Sequence, residues 1–195
     1  MRILIVLTYY RPHYSGLTIY AERLALALVM RGHQVTVLTS QYDKHLPQRA
    51  MCNGVLVVRA PVLLRISKGV IMPSMLWRAW QLARQADVVL LHLPQLDAAP
   101  VAILSRLLRK PVYVTYHCDL VLPNGLVHRL ADLASNLANA VTASLALRIV
   151  QNTRDYADHS PFLKKYLDRL EAIPPPIEVT PASSEDHASF QQKAQ

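Results

Sequence analysis

RILIVLT at residues 2–8, GLTIYAERLALALVM at residues 16–30 and QVTVLT at residues 34–39 together decide the fold. The first is a continuous apolar run rich in Ile, Leu and Val, the pattern of a strand covered on both faces in a parallel sheet. In the second, Leu17, Tyr20, Ala21, Leu24, Ala27 and Leu28 recur at helical spacing, and Arg31-Gly32 ends the helix with a basic residue and one suited to a left-handed cap. A strand, a helix and a strand joined this closely form a right-handed crossover unit. The alternation continues. Strands are predicted at residues 55–59, 87–92, 111–116, 147–151 and 170–173. Helices are predicted at 70–85, with Pro73 in the first turn, at 95–108, at 124–144 with a break near Val141-Thr142, and at 156–167 interrupted at Pro161. The expected class is α/β: an open, doubly wound, Rossmann-like parallel sheet with helices on both faces.

A chain of 195 residues supplies one core, so residues 1–177 read as one domain. After Pro174-Pro175-Pro176 the chain turns polar, and residues 178–195 read as a linker or tail. With 52% hydrophobic residues, 17% charged residues and 5 Gly, the composition excludes a disordered or low-complexity chain. Cys52 and Cys118 match no metal-ligand or redox spacing and read as reduced thiols, which fits a cytoplasmic protein. The first apolar run is too short for a signal-peptide core, and no apolar stretch approaches the roughly 20 residues that span a bilayer. The expectation is a soluble protein or one peripheral at the inner face of a membrane. A formal net charge of +8 points to nucleic acid, anionic lipid or phosphorylated substrates. The basic residues are scattered without aromatic interleaving, which leaves nucleic acid the poorest fit.

Ligands of open α/β sheets bind beyond the carboxyl ends of the strands. The strand exits therefore nominate a rim: Tyr10 and Arg11 after the first strand, His92 after the fourth, His117 and Asp119 after the fifth, Asn152 and Thr153 after the sixth. Ser15-Gly16 precedes the first helix, where free N–H groups and the helix dipole favour an anion and a glycine permits close approach. An ordinary helix start capped by Ser15 explains the same residues equally well. His117 near Asp119 reads as a substrate contact, as a structural histidine, or as an acid-base pair in a single-domain enzyme. No G-x-G-x-x-G and no P-loop is present. Residues 120–137 carry an apolar face, Leu122, Leu126, Leu130, Leu133 and Leu137, that suits either core packing or anionic lipid, and Trp77 and Trp80 invite the same two readings.

Several ordered motifs give the chain a family resemblance. Ile3-Leu4-Ile5-Val6 with Tyr9-Tyr10-Arg11-Pro12 and Gly16, then residues 31–39 (RGHQVTVLT), resemble the first crossover unit of family 4 glycosyltransferases. Residues 110–119 (KPVYVTYHCD) resemble that family's fifth strand and acceptor-side histidine, and Ser160-Pro161-Phe162-Leu163 through Pro174-Pro175-Pro176-Ile177 resembles its approach to the interdomain linker. The resemblance implies the N-terminal, acceptor-side half of a two-domain GT-B enzyme. It further implies retaining transfer of a sugar from a nucleotide-diphosphate donor to an acceptor, lipid-linked or polysaccharide, without a metal or other cofactor. By the same resemblance the Ser15-Gly16 loop lies against the donor diphosphate and His117 beside the transferred sugar and acceptor. The required partner is a C-terminal donor domain, in cis or in trans. The chain departs from the family in having Ser15-Gly16 followed by Thr18 where two adjacent glycines precede an acidic residue, and Leu90 where a histidine is common. The alternative expectation is a non-catalytic module that binds an acceptor, a lipid or a protein.

Overall fold

A computed structural model describes residues 1–66, 69–119 and 126–177, with backbone alone for residues 66 and 126–130. The expected tail at 178–195 and the start of the apolar face at 120–125 lie outside them. In chain order the elements are β1 (Arg2–Val6), α1 (Gly16–Met30), β2 (Gln34–Gln41), β3 (Arg49–Cys52), β4 (Val55–Pro61), β5 (Leu64–Ile66), β6 (Gly69–Ile71) and α2 (Met75–Gln85). They continue as β7 (Val88–Leu93), α3 (Ala98–Leu107), β8 (Val112–Tyr116), α4 (Leu126–Leu145), β9 (Arg148–Gln151), α5 (Arg154–His159), a 3-10 helix (Leu163–Arg169) and β10 (Leu170–Ala172).

Eight strands form one sheet in the order β10-β9-β8-β7-β1-β2-β4-β3. Seven run parallel, as the apolar runs predict. The chain moves outward from β1 to β2 and β4, then returns to β7 on the other side of β1, so the strand order reverses between β1 and β7. That reversal is the topological switch point, beyond whose carboxyl ends a crevice opens. On one face Ile3, Ile5, Leu7, Val35 and Val37 pack against Ala21 and Ala25 of α1. On the other, Leu4, Val6, Leu38 and Leu91 pack against α2, α3 and α4. Full burial of each such Leu or Ile stabilises the fold by about 1.5–3 kcal/mol.

The expected parallel sheet is corrected at one edge, where β3 runs antiparallel to β4. The two join through Asn53 at φ 50 and Gly54 at φ 80, the backbone that a two-residue Asn-Gly hairpin requires. A Cβ on Gly54 would also stand 2.9 Å from the Val29 side chain. A second correction concerns residues 70–74. Val70 and Ile71 belong to the β5–β6 hairpin, and α2 starts only at Met75, because Pro73 disfavours helical backbone at Met72. The break expected in α4 is absent; Thr142 turns its hydroxyl back onto the Ala138 carbonyl at 2.7 Å, which accommodates a β-branched residue within the helix. The helix expected at 156–167 divides into α5 and the 3-10 helix on either side of Pro161.

Candidate functional site

At the switch point the N-terminus of α1 faces the ends of β7 and β8. Helical spacing puts Gly16, Tyr20 and Arg23 on one side of α1, where they line a cleft of about 370 Å3 together with His117, Asn152 and the extended segment Pro175–Ile177. Arg23 fastens that segment by donating to the Pro176 carbonyl at 3.3 Å. Tyr20, Arg23 and the proline segment are missed when strand exits alone are inspected. The i, i+4, i+7 spacing from Gly16 carries the signal for the first two.

Ser15 is the N-cap of α1. Its hydroxyl accepts from the Thr18 amide at 3.3 Å while the Thr18 hydroxyl accepts from the Ser15 amide at 2.8 Å, a reciprocal capping pair. This occupies the Thr18 amide, leaving the first amides of the helix, at Gly16 and Leu17, without a partner inside it. Gly16 has no positive φ, and a Cβ built on it meets nothing within 4 Å. The fold therefore does not require glycine there. The space a side chain would take is open cleft beside a helix N-terminus, which suits an anion approaching the backbone.

His117 lines the cleft, and His92 lies buried behind it. His92, the last residue but one of β7, is fully buried. Its Nδ1 lies 2.9 Å from Nε2 of His117, the residue following β8, and the rings stack with centroids 5.2 Å apart. Tyr20 stands edge-on to both rings, at 5.9 and 5.1 Å. Burial pushes the His92 imidazole down to about 3, with the His117 ring adding to the shift, and burial pushes His117 down to about 4. Both rings are neutral at pH 7, so one proton lies between them. Nε2 of His92 is buried without a partner. A proton there would strand a donor, whereas a proton on Nδ1 strands only a lone pair, the less costly defect. Hence His92 Nδ1–H donates to His117, and the proton of His117 sits on Nδ1, the nitrogen not engaged with His92. Nitrogen-15 shifts of histidine-labelled protein at pH 7 are expected to show the Nδ1–H tautomer in both rings; an Nε2–H signal at His117 refutes the assignment.

The other rim candidates are used differently. Both carboxylate oxygens of Asp119 are occupied: Oδ1 accepts from Tyr116 at 2.8 Å and Ser160 at 2.9 Å, and Oδ2 accepts from Tyr156 at 3.0 Å. It clips the β8 exit to α5 and does not pair with His117. Tyr10 is buried in the α1-side core, where burial and then Glu22 push its hydroxyl far up. Arg11 pairs with Glu22 at 2.6 Å, and its carbonyl accepts from the buried Arg59 at 3.0 Å. Thr153 caps α5 through the Tyr156 amide. Asn152 does line the cleft, and its side-chain oxygen is buried and unpartnered. Among the described residues no three of His, Cys, Asp and Glu lie close enough together to hold a metal ion. No helix among them is long and apolar enough to cross a membrane.

The model of Glycosyltransferase Family 4 matches residues 14–182. Sucrose-phosphate synthase from Thermosynechococcus elongatus shares the fold at a TM-score of 0.62 with 14% identity, over 89% of this chain and 47% of its own. WaaG, a glycosyltransferase involved in lipopolysaccharide biosynthesis, shares it at 0.60 with 17% identity, over 98% of this chain and 51% of its own. The E. coli trehalose-6-phosphate protein bound with UDP-2-fluoro glucose follows at 0.51 with 11% identity, over 99% and 54%. The sheet and its helices thus form the Rossmann-like half of a GT-B fold, and the chain spans about half the length of these structures. No curated protein matches its sequence significantly.

Proposed function

This chain belongs to Glycosyltransferase Family 4, and from that premise we infer that it forms the acceptor-side wall of a cleft in which a sugar passes, with retention, from a nucleotide diphosphate to an acceptor. The observation that carries this reading is the pairing, across one cleft, of an unobstructed helix N-terminus at Gly16 with a neutral, oriented imidazole at His117. The amides of Gly16 and Leu17 bind diphosphate oxygens as the positive end of the α1 dipole. His117 donates from Nδ1 to a hydroxyl of the transferred sugar or the acceptor, and Asn152 lines the cleft beside it. Both are contacts; neither is a nucleophile. The charge that develops on the departing diphosphate is large, and stabilising it is commonly the largest catalytic effect. Among the described residues Arg23 is the cation lining this wall, and its guanidinium is already bonded to Pro176. A second, donor-binding domain, in cis or in trans, therefore completes the site and holds most of the nucleotide. The UDP-2-fluoro glucose of the E. coli neighbour supports a nucleotide-sugar donor, and the lipopolysaccharide role of WaaG supports a lipid-linked or polysaccharide acceptor.

Gly16→Ala tests the reading because fold and function respond oppositely. Stability is expected unchanged or raised by up to about 1 kcal/mol, since alanine lowers the entropy of the unfolded chain and clashes with nothing. Transfer of labelled sugar by the chain together with its donor-binding half is expected to fall about 10–100-fold, because the methyl group holds the diphosphate off the helix amides. Full activity in the variant refutes the diphosphate contact. Absence of transfer to lipid and soluble acceptors in the assembled protein leaves a non-catalytic acceptor-binding module.

A further inference from the structure

We propose that the surface made by the β5–β6 hairpin and the first turns of α2 docks on an anionic lipid bilayer. The inference stands on surface chemistry and holds whether or not the cleft transfers sugar. Leu63 is 75% exposed and Trp77 58%, and Leu64, Ile71 and Leu76 are exposed with them. These are neighbours in the fold. Leu64 is the cross-strand partner of Ile71, the Leu63 amide donates to the Ile71 carbonyl at 2.9 Å, and the short turn after Ile71 leads directly into the α2 turn that carries Leu76 and Trp77. Trp77 stacks on Trp80 at 4.7 Å, and Arg84 lies over the Trp80 ring at 4.6 Å. Several exposed apolar side chains close together in the chain mark an interaction site, and stacked indoles beside a guanidinium suit the headgroup boundary, where one end of the group is apolar and the other wet.

Charge chooses the occupant. Residues 44–86 contain seven Lys and Arg and no Asp or Glu, and of the seven Arg59 is buried. Among the described residues no carboxylate pairs with Arg65, Arg78 or Arg84, which instead meet the Tyr42 carbonyl, the Gln48 side chain and the Trp80 ring. Uncompensated cations on the same elements as exposed apolar side chains are the complement of an anionic leaflet. The other exposed apolar stripe, Leu133 at 67% and Leu137 at 65% on α4, lies on a helix with a single Arg, Arg129, set against Asp132. The hairpin also springs from the carboxyl end of β4, so the patch lies at the same rim of the sheet as the cleft. A bilayer seated there brings its headgroups to the acceptor side.

Trp77 and Trp80 are the only tryptophans, so intrinsic fluorescence reports this surface directly. The full chain is expected to sediment at low salt with vesicles of mixed phosphatidylglycerol and phosphatidylcholine, with its emission shifting to the blue. On phosphatidylcholine alone, or at high salt, binding is expected to weaken about tenfold or more. L63S/I71S and R65E/R84E variants are each expected to lose about tenfold in vesicle affinity while keeping the wild-type urea midpoint, because these side chains are exposed. Failure to bind the anionic vesicles overturns the proposal. So does binding that leaves the emission unchanged, or that is lost in L133S/L137S and kept in L63S/I71S. A patch that ignores vesicles and captures a protein partner overturns it equally.

Discussion

Asp119→Ala is expected to lower the stability of the folded chain by about 3–5 kcal/mol, read as a fall in the urea midpoint. Three hydroxyls converge on this carboxylate, those of Tyr116, Tyr156 and Ser160. Tyr116 and Ser160 are buried, so deleting the acceptor strands their hydroxyls without water to replace it. Each stranded buried group costs about 1–3 kcal/mol, and a bond to a charged acceptor is worth more than a neutral one. The loss spreads beyond the hydroxyls. Ser160 also accepts from the Leu163 amide at 3.2 Å, and Tyr116 stacks on Phe162 at 4.8 Å, so the clip fixes the start of the 3-10 helix against β8. Against a total stability of about 5–15 kcal/mol this is a large fraction. Asp119→Asn, which keeps one oxygen and the shape, is expected to cost about 1–2 kcal/mol. An alanine variant with an unchanged midpoint but no transfer activity would return Asp119 to the acid-base role beside His117 that the sequence also permits.

The same residue illustrates which parts of the molecule a linear reading reaches. Periodicity located all seven parallel strands and every main helix, because a strand buried on both faces has no alternative composition and an amphipathic helix shows its stripe. It passed over β3, although Asn53-Gly54 is a hairpin signal in its own right, because residues 49–52 (RAMC) are half exposed and carry no apolar run. At the site, position along the chain identified the rim, while orientation was beyond it. Tyr10, Asp119 and Thr153 all follow strands, yet one lies in the core, one clips two segments together and one caps a helix. Successive residues at a strand end point to opposite faces, so one residue of register decides between cleft and core. The His92–His117 contact was likewise hidden. It spans 25 residues and exists because β7 lies beside β8 with His92 opposite Thr115, a pairing that only the assembled sheet supplies.

Between pH 6 and pH 4 the folded chain is expected to lose about 2–3 kcal/mol of stability, and Asp97→Asn is expected to roughly double that loss. Burial holds His92 at about 3 and His117 at about 4, below their ordinary value of 6.5. Their contribution is complete above pH 6.5 and is lost as pH falls toward the folded values, because the unfolded chain takes up two protons that the folded chain refuses. Each refused proton is worth about 1.4 kcal/mol per pH unit. Asp97 works in the opposite direction. Burial lifts its carboxyl to about 6, so on acidification the folded chain binds a proton there before the unfolded chain does, and one histidine proton is offset. Wild type therefore shows a net slope near one proton. With Asn at position 97 the offset disappears, the slope approaches two protons and the loss approaches about 4–5 kcal/mol. Removing the rings reverses the experiment: His92→Asn with His117→Asn inverts the slope, and with Asp97 intact stability is then expected to rise by about 2 kcal/mol as the pH falls from 6 to 4. Urea midpoints of the three proteins across this range decide it. A wild-type slope that Asp97→Asn leaves unchanged would remove Asp97 from the balance, and a slope that survives loss of both rings would show that the buried pair is not its source.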